Sequence, residues 1–268
     1  MRRRRRAEEE GRVEGLLRMS KVHCSSLSLA PDLELYHAGP PLDLGPLPAV
    51  FYFALSGPDS LCLDPYNQFV RFLLDKQVRI FSMTLPAHEN GLSPLKALEV
   101  WAEEMGKGLD PLGDFLDRAE RAVDYAFQES LIEEGRLSAA GLSRGGLVAS
   151  FFAAREKRIK KLLGFAPVTR LGLAREFSEI KQNANVQFYD AANLAQDLSD
   201  RKIRFYMGNR DTRVSTRACF ECVEALVEAA HKERNAQVEL ILTPSIGHMG
   251  HGTSMEIFKQ GAEWISSL

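Results

Sequence analysis

Cysteine is scarce in this chain, the two signs of charge nearly cancel, and no apolar run is long enough to cross a bilayer. Each shortage removes a class of protein. Four cysteines in 268 residues, Cys24, Cys62, Cys219 and Cys222, are too few and too scattered for a disulfide framework. Only Cys219 and Cys222 have ligand-like spacing, and they share a helical period with Val223, Leu226, Val227 and Ala230. That pattern makes them reduced core thiols on the buried side of a helix, with metal or redox use as the alternative. Lys and Arg number 34 against 36 Asp and Glu, a formal net charge of −2. Nucleic acid and anionic membranes are therefore not expected as partners, because both call for a basic face. The longest apolar stretch, "AVFYFAL" from Ala49 to Leu55, is the length of a strand, well short of the roughly 18 residues that a span requires. Internal repeats are also missing, which excludes a propeller or solenoid. These absences leave a chain expected to be soluble and cytoplasmic, with a small molecule or a protein as partner; they leave its oligomeric state open.

What is present begins with a charged block, "MRRRRRAEEEGRVEGLLRMS". It has no apolar segment or small-residue cleavage site of a secretory signal, and Glu8 to Glu10 argue against a transit peptide. Residues 1–20 read as a weakly ordered charged arm, with nuclear import or nucleic-acid contact as the alternative. The length then suits a single domain over residues 21–268.

Within that domain a hairpin is expected between Val22 and Tyr36, turning at Pro31 and Asp32. Six apolar runs follow: Ala49 to Leu55, Val78 to Leu85, Leu137 to Leu142, Leu162 to Phe165, Lys202 to Met207 and Val238 to Leu242. Helical faces lie between and after them, on Phe69, Val70, Leu73 and Leu74, on Phe115, Ala119, Ala122, Val123 and Ala126, and on Met255, Phe258, Ala262 and Ile265. Such alternation predicts a mainly parallel, twisted sheet with helices on both faces. Chemistry then belongs just beyond the carboxyl ends of the strands.

Three of those ends carry reactive side chains. At the first, "GLSRGG" sets Ser143 between Gly141 and Gly145 where a strand turns directly into a helix. A nucleophile there needs neighbours without side chains and gains the free N–H groups of the helix start. The competing reading is a glycine-rich turn with a solvated or capping serine. At the second, "GNRDTRV" offers Asp211 as an acid to orient an imidazole, or as a helix cap or an ion-pair partner of Arg210 or Arg213. At the third, "IGHMGHGTS" holds His248 and His251 off any apolar face. His248, nearer the strand end, is the expected base, while His251 is a substrate contact or the base itself. A metal pair of the two histidines lacks a third ligand nearby.

Nucleophile, acid and base in this order, each after a strand, resemble the α/β-hydrolase superfamily. The chain is most similar to its prolyl-oligopeptidase and dienelactone-hydrolase-like branch through "GLSRGG", "FAPVTRL", "DTRV" and "IGH". The resemblance implies the α/β-hydrolase fold with a short cap over residues 169–200. It also implies a serine acyl hydrolase acting on a small-molecule ester, thioester or short amide, with no metal or organic cofactor. Ser143 is then the nucleophile, His248 the base, Asp211 its orienting acid, and the Arg144 backbone N–H one oxyanion donor. The family's His-Gly pair after the preceding strand is replaced by "ALSGPDS", where Pro58 has no N–H to give. Gly57 or Asp59 N–H, or the Ser56 hydroxyl, is expected to substitute in what otherwise reads as a β-turn. Ser56, His251 and Phe177 are the expected substrate contacts. The alternative function is an impaired hydrolase fold that binds a ligand or partner.

Overall fold

Apolar residues on both sides of an extended chain demand cover on both faces, and the sheet is built around that demand. The computed structural model describes residues 22–89, 92–235 and 237–267; the expected arm over residues 1–20 lies outside them. A hairpin of β1 (Ser25–Ala30) and β2 (Leu33–Ala38) turns at Pro31 and Asp32. Next come β3 (Leu47–Phe53), α1 (Gly57–Cys62), α2 (Gln68–Leu73), β4 (Arg79–Ser82), α3 (Ala97–Gly106), α4 (Pro111–Gln128), β5 (Ile132–Leu142), α5 (Arg144–Arg155) and β6 (Ile159–Phe165). Short 3-10 turns and α6 (Ala184–Phe188) lead to β7 (Lys202–Gly208), α7 (Thr216–Lys232), β8 (Val238–Thr243) and α8 (Met255–Ser266). The strand order is β1-β2-β4-β3-β5-β6-β7-β8. From β3 and β4 through β8 the pairing is parallel, and the hairpin closes one edge antiparallel. This is the α/β-hydrolase fold, and all six apolar runs form strands in it.

Alternate residues along the strands enter two separate cores. Phe51, Phe53, Leu137, Ala139, Leu162 and Phe205 pack with the apolar faces of α3, α4, α5 and α7. Val50, Tyr52, Ala140, Leu163, Phe165 and Tyr206 pack with α2 and α8 on the other side. Each buried phenylalanine contributes about 1.5–3 kcal/mol relative to exposure, which is why the central strands tolerate no polar face. Cys219 and Cys222 are buried on α7, and burial pushes the Cys222 thiol up to about 12. Both therefore remain protonated packing groups. Among the described residues no helix is long and apolar enough to cross a membrane.

The stretch read as a β-turn is a helix start instead. Ser56 caps α1, its Oγ accepting from Asp59 N–H at 3.2 Å, and Pro58 occupies the first turn. A helix needs no N–H there and gains from the preset φ. Pro58→Gly is therefore expected to leave turnover on an activated ester within about two-fold. It should lower stability by roughly 1 kcal/mol, read by denaturant unfolding; a clear rise in turnover would mean that the N–H absent at Pro58 is one the oxyanion needs.

Candidate active site

Ser143 sits at a sharp bend where β5 turns directly into α5. Its φ of 56° and ψ of −116° lie where a side chain is strained, and the path is possible only because the positions two residues to either side, Gly141 and Gly145, are glycine. A Cβ on Gly141 would strike the Gly145 carbonyl, and one on Gly145 the Phe53 carbonyl. Ser143 N–H donates to Phe165 O at 2.9 Å, and Ser143 O accepts from Gly146 and Val168 at 2.9 Å each. The backbone of the bend is thus tied to β6 and to the segment after it. The helix α5 starts at Arg144, so the N–H of Arg144 belongs to the first turn, whose donors have no partner within the helix. It lies beside the serine, where negative charge would develop on a substrate carbonyl oxygen.

His251, not His248, meets the serine. His251 Nε2 lies 2.8 Å from Ser143 Oγ, and its Nδ1 lies 2.6 Å from Asp211 Oδ2. The Asp211 carboxylate can only accept, so Nδ1 carries the proton and Nε2 is left to accept from the serine hydroxyl. The expectation that His248 fills this place fails on loop geometry. Between β8 and α8 the chain reverses through positive φ at Gly247, Met249 and Gly250, at 72°, 54° and 75°, and Ile246 bridges back to Gly252. The residue nearest the strand in sequence is thereby turned outward: His248 is exposed on the rim of the cleft. His251 is folded back over the sheet, with its side chain 20% exposed.

Asp211 is held from several sides. Its Oδ1 accepts from the N–H of Arg213 at 2.9 Å and of Val214 at 3.1 Å, and its side chain is fully buried. Burial works to raise its pKa, but the hydrogen bond and charge of His251, with the two backbone donors, outweigh it, and the net shift is downward. Asp211 is therefore ionised at neutral pH. A depressed folded-state pKa stabilises the native state above the unfolded carboxylate pKa, and that contribution fades as the pH falls through the folded value. The two loops are clasped together: Thr212 N–H donates to Met249 O at 2.9 Å, and Gly250 lies so close to Arg210 O that a Cβ there would collide with it. Asp211→Asn should leave this clasp in place, favour the wrong imidazole tautomer and lower kcat by roughly 10⁴-fold, as measured on an activated ester.

The expected partners in the β3 loop are placed elsewhere. Gly57 N–H donates to Thr84 Oγ1 at 3.0 Å and Asp59 N–H to Ser56 Oγ, so neither is available to an oxyanion. Ala54 and Leu55 N–H are both committed to Ser60 Oγ, at 3.2 and 2.9 Å. Ser56 caps its helix on the side of a different cavity, away from Ser143. Phe177, in the segment over residues 169–200, is fully buried in the core and does not line the cleft. Around Ser143 and His251 the cleft itself has a volume of about 500 Å³. Two residues that the sequence reading did not assign stand on its wall or behind it. Tyr66 lies on its wall, and His88, from the loop after β4, supports Arg144 from behind.

The geometry has counterparts among known proteins. No curated protein matches the chain by sequence. Among solved structures, the Thermus thermophilus protein TT1662 superposes with a TM-score of 0.66 at 17% identity, over 93% of this chain and 100% of its own. A cold-adapted esterase from an Arctic intertidal metagenomic library gives 0.65 at 16%, over 91% and 92%. Pyrococcus horikoshii acylaminoacyl peptidase gives 0.65 at 14%, over 93% of this chain and 42% of that one. The chain spans 35–42% of the length of the peptidases it matches. Residues 103–267, which include the serine bend and both clasped loops, match the prolyl oligopeptidase family: the chain belongs to that family.

Proposed function

We propose that this chain is a serine hydrolase that cleaves small esters, thioesters or short amides through an acyl-enzyme on Ser143. The observation that carries the reading is the unbroken relay from Asp211 through His251 to Ser143, at 2.6 and 2.8 Å. Both contacts are already within reach for proton transfer. Ser143 Oγ attacks the substrate carbonyl carbon while its proton passes to His251 Nε2. Asp211 holds the ring and balances the imidazolium that forms. Arg144 N–H donates to the oxyanion of the tetrahedral intermediate. Collapse expels the alcohol, thiol or amine, which takes the proton back from His251. Water then gives its proton to His251 and attacks the acyl carbon, and the acid leaves as Ser143 recovers its hydrogen.

Small substrates follow from the cleft, whose 500 Å³ falls in the range of about 300–1,000 Å³ typical of small-ligand sites. The assembled relay argues against the alternative of a fold that only binds. The test is labelling by a fluorophosphonate, which reacts only with an activated serine. Labelling confined to Ser143 and lost in Ser143→Ala and His251→Ala is expected; a wild-type protein that resists the probe overturns the reading.

A further inference from the structure

The polar wall of the cleft is lopsided in charge. Arg144, Arg175 and Arg213 line it against one carboxylate, Glu176. Glu176 is already engaged: it accepts from Arg213 Nη1 at 3.1 Å and Nη2 at 2.7 Å, and its side chain is only 6% exposed. Two guanidinium groups are left over. Arg175 is exposed and has no acidic partner among the described residues.

Arg144 is the more telling of the two. Its Nη1 donates to Pro94 O at 2.6 Å and to His88 Nε2 at 3.4 Å, both uncharged acceptors. His88 Nδ1 lies 2.9 Å from Pro86 O. A carbonyl can only accept, so Nδ1 bears the proton and Nε2 presents its lone pair to the arginine. Burial first, and the Arg144 charge as well, hold the His88 pKa below its ordinary value, so the ring stays neutral. Nε and Nη2 of Arg144 have no partner among the described residues. Burial, followed by the charge of Arg213, draws the Arg144 pKa down to about 10, yet the group remains a cation at neutral pH. The half-buried guanidinium feels the charge of Glu176 but makes no direct ion pair among the described residues, and a planar guanidinium matches an oxyanion with two parallel hydrogen bonds.

We infer that the cleft selects acyl substrates bearing an oxyanionic group, a carboxylate or a phosphate, with Arg144 as the specificity-determining residue and Arg175 assisting at the rim. This rests on the reading of the chain as a serine hydrolase and names the substrate class for the same site. Leu55, Leu98, Leu142 and Val214 on the remaining wall provide the apolar room for a short chain between the charged end and the scissile carbonyl. The backbone N–H of Arg144 serves the oxyanion, its side chain the substrate's own charge, and His88 positions that side chain.

The experiment compares kcat/KM for p-nitrophenyl hydrogen adipate with that for its methyl-capped, neutral counterpart, and adds a phosphonate-ended ester of similar length. The wild-type protein should favour an anionic ester by about ten- to hundred-fold, the value of one charge-assisted contact. The two anionic arms then tell carboxylate from phosphate. Arg144→Met keeps the backbone N–H and should collapse the anionic-to-neutral ratio toward one, mainly through KM; Arg175→Gln should lower the ratio in part. Added salt should shrink the wild-type preference. Equal rates on neutral and anionic esters in the wild-type protein overturn the inference while leaving the hydrolase reading intact. An Arg144→Met loss that is equal for both esters also overturns it, in favour of a transition-state role. Should Arg144→Met fail to fold, an unchanged ratio in Arg175→Gln together with an absent salt effect would sink it. A wild-type protein that neither labels with fluorophosphonate nor turns over any ester overturns both readings.

Discussion

Replacing Ser143 with alanine is expected to lower kcat on an activated ester by on the order of 10⁶-fold, the scale seen when a triad serine is removed. The fold should survive. The serine hydroxyl has one described partner, His251 Nε2 at 2.8 Å, so its deletion costs about 1 kcal/mol, or a few degrees in thermal midpoint for a chain of this size. The strain of the bend belongs to its backbone, at φ 56° and ψ −116°, and alanine inherits it unchanged. Turnover and a melting curve on the same preparation separate the two quantities. Substantial residual turnover in a well-folded variant would remove Ser143 from the mechanism.

The two histidines of the β8 loop should behave very differently. His251→Ala is expected to cost nearly as much as Ser143→Ala, because nucleophile and base act as a unit and their losses do not add. The double variant should therefore be no worse than either single one. His248→Ala should change kcat by no more than a few-fold, since that side chain is exposed at the rim and the hydrogen bonds to Asp211 and Ser143 are made by His251. Steady-state kinetics of the four proteins on one ester decide the matter. A larger loss for His248 than for His251 would mean that the loop rearranges when substrate binds.

Much of this architecture is legible in the residues, because strand cores and helix faces are written as periodicities. The run Ala49 to Leu55 reads as a strand covered on both faces, and the glycines around Ser143 read as a bend, each from local chemistry alone. The sequence reading passed over the helix α3, although Leu98, Trp101 and Met105 mark its face, and took α1 for a β-turn, although Ser56, Pro58 and Asp59 fit a cap, a first-turn proline and a third-position acid. Choosing between His248 and His251 was different in kind. Distance along the chain ranks His248 first, while distance in space depends on three departures into positive φ within four residues and on the bridge from Ile246 to Gly252. Glycine announces that such turns are allowed but not how many are taken. The commitment of the Gly57 and Asp59 amides depended likewise on Thr84 and on the helical register of Ser56, contacts set by tertiary packing.

The clasp between the β7 and β8 loops has a consequence for how the protein fails. Ser143 hangs on β5, which is flanked by β3 and β6 and buried from Leu137 to Gly141. Asp211 and His251 follow β7 and β8, and β8 is the outermost strand, with no fully buried residue along it. Edge units open at lower free energy than central ones. Heating should therefore peel β8 and its histidine away from a serine that stays in place, so inactivation precedes melting and is reversible on cooling. Shelf life and thermal midpoint become separate properties of this molecule, and the strand to reinforce for the first is the last one in the sheet.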